Sequence, residues 1–256
     1  MRRAGRRVNP VSGLAIHTAG GNATAKALKV GRDPLSFLVD LYGGDAPDGK
    51  DVVADFDYFP HYVIGWGGRT VPVCPEEDRA LHIGVSKAEW SLLSTQGWRS
   101  HPPSGSDGQQ GPSQADWAAF VGRWTDRWSG FDNPAALTNG HLPNDVLIGV
   151  ELCAGAKLQF GPEKLAGSYT NDQYLALAKL YGDIAGRRGW TGHEALYPHP
   201  SHSVRILCHE DCNPLTRANR PSGGWDPGCM REQPSFDWEL LRSHVQRIMG
   251  LVDDKV

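Results

Sequence analysis

Three short apolar runs, each meeting an ionisable residue, constrain this chain more than anything else in it. Leu14-Ala15-Ile16 runs into His17, the stretch 145–152 (DVLIGVEL) carries Glu151 near its end, and Val204-Arg205-Ile206-Leu207-Cys208 runs into His209. Short apolar runs of this kind read as buried strands. DVLIGVEL in particular lacks polar alternation and predicts a strand covered on both faces. At 256 residues and 39% hydrophobic, the chain can bury one substantial core, which favours one elaborated domain over two small ones.

Helical patterns separate the strands. A helix is expected around 23–30, and another over 116–131, where Trp117, Phe120, Trp124 and Trp128 recur at roughly helical spacing. Thr170-Asn171-Asp172-Gln173 fits a capping box, and Tyr174, Leu177, Ala178, Tyr181 and Ile184 form the apolar stripe of the helix it opens, ending near Gly189. An amphipathic helix over about 236–251 closes the pattern. Two β-rich runs within 61–73 flank Gly67-Gly68, a hairpin signal. The polar stretch 43–57 reads as a surface loop or edge insertion, and 100–114, rich in Pro, Gly, Ser and Gln, as a loop. Strands alternating with helices predict an α/β fold with a central mixed β-sheet flanked by helices.

Bulk properties exclude more than they identify. A net charge of -3 and a pI near 6.4 give no general reason to expect a nucleic acid or an anionic membrane as partner. No apolar run approaches the ~20 residues of a membrane-spanning helix. Met1-Arg2-Arg3-Ala4-Gly5-Arg6-Arg7 looks like a charged leader, but the apolar stretch 11–16 is broken by Ser12 and Gly13 and stops at His17, so no secretory signal is expected. Five cysteines, an odd number in a chain too large to need disulfides, define no compartment.

His17 and His209 both follow strands, and Asp226 stands in the turn-prone Trp225-Asp226-Pro227-Gly228. Strand ends are rigid places from which to aim ligands into a cleft. Two histidines and a carboxylate are the three-ligand set of a catalytic zinc, with a fourth position left for water. The competing reading is structural, since ten histidines allow a chance pair at strand ends. Glu151 occupies a place where a buried strand normally carries an apolar side chain, so it must be ion-paired, metal-linked or functional.

The ordered blocks IHTAGGNAT, HYVIGWGGRTVPVCPEEDRALHIG, NDVLIGVEL with YTNDQYLALAKL, LCHEDCNP, and WDPG with PSFDW resemble those of the type 2 N-acetylmuramoyl-L-alanine amidases, the family that includes the peptidoglycan recognition proteins. The blocks run from residue 14 to about 241, nearly the whole chain. The resemblance implies hydrolysis of the amide between N-acetylmuramic acid and L-alanine by a single domain, 1–256, with a core of about 11–251. It also implies a Trp-rich insertion of about 85–143 that compact relatives lack. That insertion is expected to serve as core packing, with a lid or sugar-stacking platform as the alternative.

By the same resemblance, His17, His209 and Asp226 fall on the zinc-ligand positions, with Cys212 and Cys229 as nearby rivals for the third, because some relatives use cysteine there. Glu151 matches the general base. His82 and Asn144 match residues of the substrate cleft. The lysine that many relatives carry two residues before the third ligand is Gly224 here, so Arg220 or Arg217 is expected to supply the positive charge for the oxyanion.

The rival function is a non-catalytic peptidoglycan-binding module, against which the retained His17, His209, Asp226 and Glu151 argue. Expected partners are peptidoglycan or muropeptides. Made in the cytoplasm without a signal peptide, the protein is expected to reach the wall through a holin or a secretion machine, as a phage endolysin or a bacteriolytic effector, in preference to cytoplasmic recycling.

Overall fold

The computed structural model describes residues 6–19, 27, 31–43, 59–104, 111–153, 169–190, 205–215 and 236–250. The three apolar runs are strands. β1 (Gly13–Ala19), β4 (Leu147–Cys153) and β5 (Ile206–Cys208) join β2 (Tyr62–Ile64) and β3 (Thr70–Pro72) in one sheet of order β3-β2-β4-β1-β5. β1 is parallel to both β4 and β5, and β2 is parallel to β4. Among the described strands only the hairpin strand β3 runs antiparallel, which makes the sheet mixed. The hairpin turns at Gly67-Gly68 as the sequence predicts, with Gly68 at φ 74, a conformation that suits glycine.

Every residue of β4 is buried. The central strands alternate between two apolar layers, as a period of two requires. Leu14, Ile16, Ile148, Val150 and Leu152 face one layer, where they meet Tyr174, Leu177, Tyr181 and Ile184 of α5 (Asn171–Arg188) and Leu241 and Val245 of α7 (Trp238–Ile248). Ala15, Leu147 and Leu207 face the other, against Trp98, Trp117, Phe120, Trp124 and Trp128. A third cluster on Val63, Cys153, Leu35 and Leu38 includes α1 (Pro34–Gly43). The remaining α-helices among the described residues are α2 (Lys87–Leu93), α3 (Gln114–Arg127), α4 (Pro143–Val146) and α6 (His209–Cys212), each short except α3.

α5 begins and ends where the sequence indicates. Thr170 and Gln173 form the reciprocal capping box, and Gly189 closes the helix at φ 67. Gln173 does more than cap. Its fully buried amide donates to the carbonyls of Cys153 (2.9 Å) and Ile64 (3.3 Å), fastening the helix start to the ends of β4 and β2.

The expected core packing of the Trp-rich helix holds, since Trp117, Phe120, Trp124 and Trp128 are 0–2% exposed. Two expectations change. β4 starts at Leu147 instead of 145, because Pro143 opens the one-turn helix α4 and Asp145 is held by Arg79 at 2.9 Å. The closing helix is shorter than 236–251 and starts at Trp238, after the cap Asp237. The predicted helix around 23–30 and the loop 43–57 lie almost wholly outside the described residues.

Gln173→Ala removes half of the capping box and leaves the Cys153 and Ile64 carbonyls buried without their donor. It is expected to cost roughly 2–4 kcal/mol, read as a drop in the urea midpoint. Lys179→Ala, on the exposed face of the same helix, should stay within about 0.5 kcal/mol of the parent.

Candidate functional site

In-register parallel pairing sets His17 beside Glu151, with Val63 the next partner across. On the other side of β1, Ile16 pairs with Cys208, so His209 follows one residue beyond the last pair. Paired residues on neighbouring strands point to the same face, and strands lie ~4.8 Å apart. The pairing therefore lines up His209, His17 and Glu151 as a row across the C-terminal ends of three parallel strands. All three side chains are buried, at 2%, 2% and 9% exposure.

The histidines converge. Nδ1 of His17 lies 2.8 Å from Nδ1 of His209, with ring centroids 4.6 Å apart. Nε2 of His17 lies 2.9 Å from Nδ1 of His82. His82 sits over the row behind, formed by Ala15 and Gly149, where there is room only because Gly149 has no side chain. A Cβ there would meet the imidazole at 2.5 Å. Burial, together with neighbouring His17 and His61, holds the His82 imidazole well below its ordinary value and thus neutral.

His61 lies behind this cluster, fully buried. Its Nδ1 accepts from the Gly149 amide at 3.0 Å, so Nε2 carries the proton and donates to the Asp78 carbonyl at 3.1 Å. Burial, and secondarily the Arg7 guanidinium 3.0 Å away, depress His61 to about 3.

The His209 turn is fastened from the aromatic layer on the same face of the sheet. Asp211 is fully buried. Its carboxylate accepts from the Cys208 amide at 2.7 Å and from the Trp128 indole at 2.9 Å, and pairs with Arg127 at 3.3 Å. The Trp124 indole donates to the Asp211 carbonyl at 3.3 Å. Arg127 in turn lies 4.1 Å from the Trp238 ring centroid and 4.8 Å from that of Trp128. The Trp-rich helix α3 thus holds the segment that presents His209.

The sequence candidates distribute unevenly over this geometry. His17, His209 and Glu151 share one row. His82 and Asn144 are brought together just behind it: Asn144 Oδ1 accepts from the amides of His82 and Ile83 at 3.1 and 2.9 Å, and its Nδ2 donates to the Ile83 carbonyl at 2.8 Å. Asp226, Arg220, Arg217, Gly224 and Cys229 lie outside the described residues. Cys212, a rival third ligand, packs in the aromatic layer as a free thiol that burial and the Asp211 charge push well above its ordinary value. Cys208 is disulfide-bonded.

Sequence reasoning passed over Asp211, Gly149 and His61. A glycine inside an apolar run signals close approach of another group, and an aspartate two residues after a strand-end histidine is a turn-fixing candidate. His61 carries no such local sign.

Among the described residues, no group of three or more His, Cys, Asp or Glu is placed to hold a metal. The described donor set is two imidazoles with facing Nδ1 atoms, which fits part of a zinc site and needs a further ligand. No helix among the described residues is long and apolar enough to cross a membrane.

A family model described as N-acetylmuramoyl-L-alanine amidase matches residues 7–228. Among solved structures, the crystal structure of a selenomethionine derivative of AmpD aligns with 18% identity and a TM-score of 0.42, covering 93% of this chain and 86% of that one. A search of curated proteins gives no match.

The buried histidines make stability depend on pH. Unfolded His61 titrates near 6.5 and folded His61 near 3, so between these values only the unfolded chain takes up the proton. Stability is then unaffected by this group above pH 6.5 and falls as pH drops towards 3, by at most about 1.4 kcal/mol per unit. His82 acts in the same direction. His61→Asn, whose amide oxygen replaces the Nδ1 acceptor without titrating, should flatten the pH dependence of the urea midpoint between pH 6.5 and 4.

Proposed function

The chain belongs to the N-acetylmuramoyl-L-alanine amidase family, and from that premise we propose that it is a zinc-dependent hydrolase of the lactyl amide joining N-acetylmuramic acid to L-alanine in peptidoglycan. The observation that carries this reading is the row His209, His17, Glu151: two buried imidazole Nδ1 atoms 2.8 Å apart, with a buried carboxylate on the adjacent strand.

His17 and His209 are the proposed protein ligands of the ion, with Asp226 completing the set. A zinc ion held there supplies Lewis acidity towards the lactyl carbonyl and lowers the pKa of water towards about 7.

Glu151 is the proposed general base. It takes a proton from the attacking water as the new C–O bond forms, and gives it to the L-alanine nitrogen as the C–N bond breaks. The products are the lactyl carboxylate and a free L-alanine amino terminus. Glu151 suits this task because β4 is hydrogen-bonded on both sides, so the carboxylate is presented from rigid backbone. Arg220 is the proposed source of positive charge for the developing oxyanion, in place of the lysine missing at Gly224.

The test is metal analysis together with digestion of purified peptidoglycan, scored as new L-alanine amino termini. Glu151→Ala should keep its zinc and lose roughly 10²–10⁴-fold in rate, whereas His17→Ala should lose both. Full activity in Glu151→Ala would remove the proposed base. A wild-type protein without bound zinc would overturn the metal reading and favour a binding module.

A further inference from the structure

We propose that His82 is a positioning residue that fixes the tautomer of His17 and so decides which imidazole nitrogen of His17 is offered to the metal. The inference rests on the zinc reading above and concerns atoms that the catalytic proposal leaves unassigned.

The argument follows the protons. Nε2 of His82 lies 3.2 Å from the Leu147 carbonyl, which only accepts, so Nε2 carries the hydrogen. A neutral imidazole has one ring hydrogen, which leaves His82 Nδ1 as an acceptor. Its partner at 2.9 Å is Nε2 of His17, which must therefore be the donor. With its hydrogen on Nε2, neutral His17 presents the Nδ1 lone pair, and Nδ1 is the atom that faces His209. The relay runs from the Leu147 carbonyl of β4 through His82 to His17 of β1, and it selects Nδ1 as the ligand atom.

The surroundings of His82 hold this arrangement in place. Asn144 takes both the His82 and Ile83 amides on one oxygen and returns a hydrogen bond to the Ile83 carbonyl, which locks the main chain on either side of the ring. Gly149 leaves the space the ring fills. Both ring nitrogens of His82 are thus committed to protein partners and the side chain is 6% exposed. That is the setting of a group that orients a ligand, as partners behind metal-bound histidines commonly do.

Two measurements test it. Long-range ¹H–¹⁵N correlation spectra of the metal-free protein report ring tautomers directly. His17 and His82 are both expected as Nε2–H. Zinc affinity, measured by competition with a chromophoric chelator, is the second readout. His82→Leu should lower it about 10–100-fold and release His17 into mixed tautomers. His82→Asn, whose Oδ1 still accepts from His17, should recover most of the affinity. Far-ultraviolet circular dichroism and the urea midpoint identify a variant that has not folded; the wild-type spectrum then decides by itself. A wild-type His17 found mainly as Nδ1–H would overturn the proposal. So would a folded His82→Leu with unchanged tautomer and unchanged zinc affinity. If the wild type binds no zinc, the reading of the site as a zinc centre fails, while the tautomer measurement still judges the relay.

Discussion

The register of β1 against its two parallel neighbours is the constraint on which the rest of this molecule depends. With Ile16 opposite Cys208 and His17 opposite Glu151, the ends of three strands deliver two imidazoles and a carboxylate to one face of the sheet. A slip of one residue in β1 would turn His17 into the layer occupied by α5 and bring Ile16 to the site. The slip is opposed by the alternation of Leu14 and Ile16 towards one apolar layer and Ala15 towards the other. The same pattern that builds the core therefore aims the site.

The two apolar layers serve that row differently. α5 and α7 cover the far face and carry none of the row. The near face is divided, with aromatic residues on one side, the α1 cluster on the other, and the histidines between them. The aromatic layer reaches the site chemically as well as sterically. Asp211, buried and engaged by Trp128, Arg127 and the Cys208 amide, ties the His209 turn to α3. An unpaired carboxylate at that depth would be strongly destabilising, so Arg127 and Trp128 at the end of α3 are integral to how His209 is presented. Behind His17, the small residues Ala15 and Gly149 provide the space in which His82 lies.

Local features of this arrangement were legible in the sequence and long-range ones were not. The capping box at Thr170 and Gln173, the Gly189 stop and the Gly67-Gly68 hairpin depend on neighbours within a few residues, and each is where the sequence indicates. The apolar runs ending at His17, Glu151 and His209 exposed the candidates because an ionisable residue at the end of a buried strand needs a reason. Sequence alone could not put β4 between β2 and β1, since that order comes from pairings more than 80 residues apart in the chain. Nor could it show that His82 and Asn144 meet behind His17, or that His61 takes the Gly149 amide. The start of β4 was misplaced although Pro143 signalled a helical first turn, because the apolar run of the strand overrode a single residue's preference.

Diffraction at the zinc absorption edge, on crystals grown with zinc, tests the central claim most directly. The account predicts an anomalous peak bonded to Nδ1 of both His17 and His209 and to the Asp226 carboxylate, with Glu151 on the adjacent strand facing it. A peak that engages His17 through Nε2, or a zinc-soaked crystal with no peak between the two histidines, would contradict it.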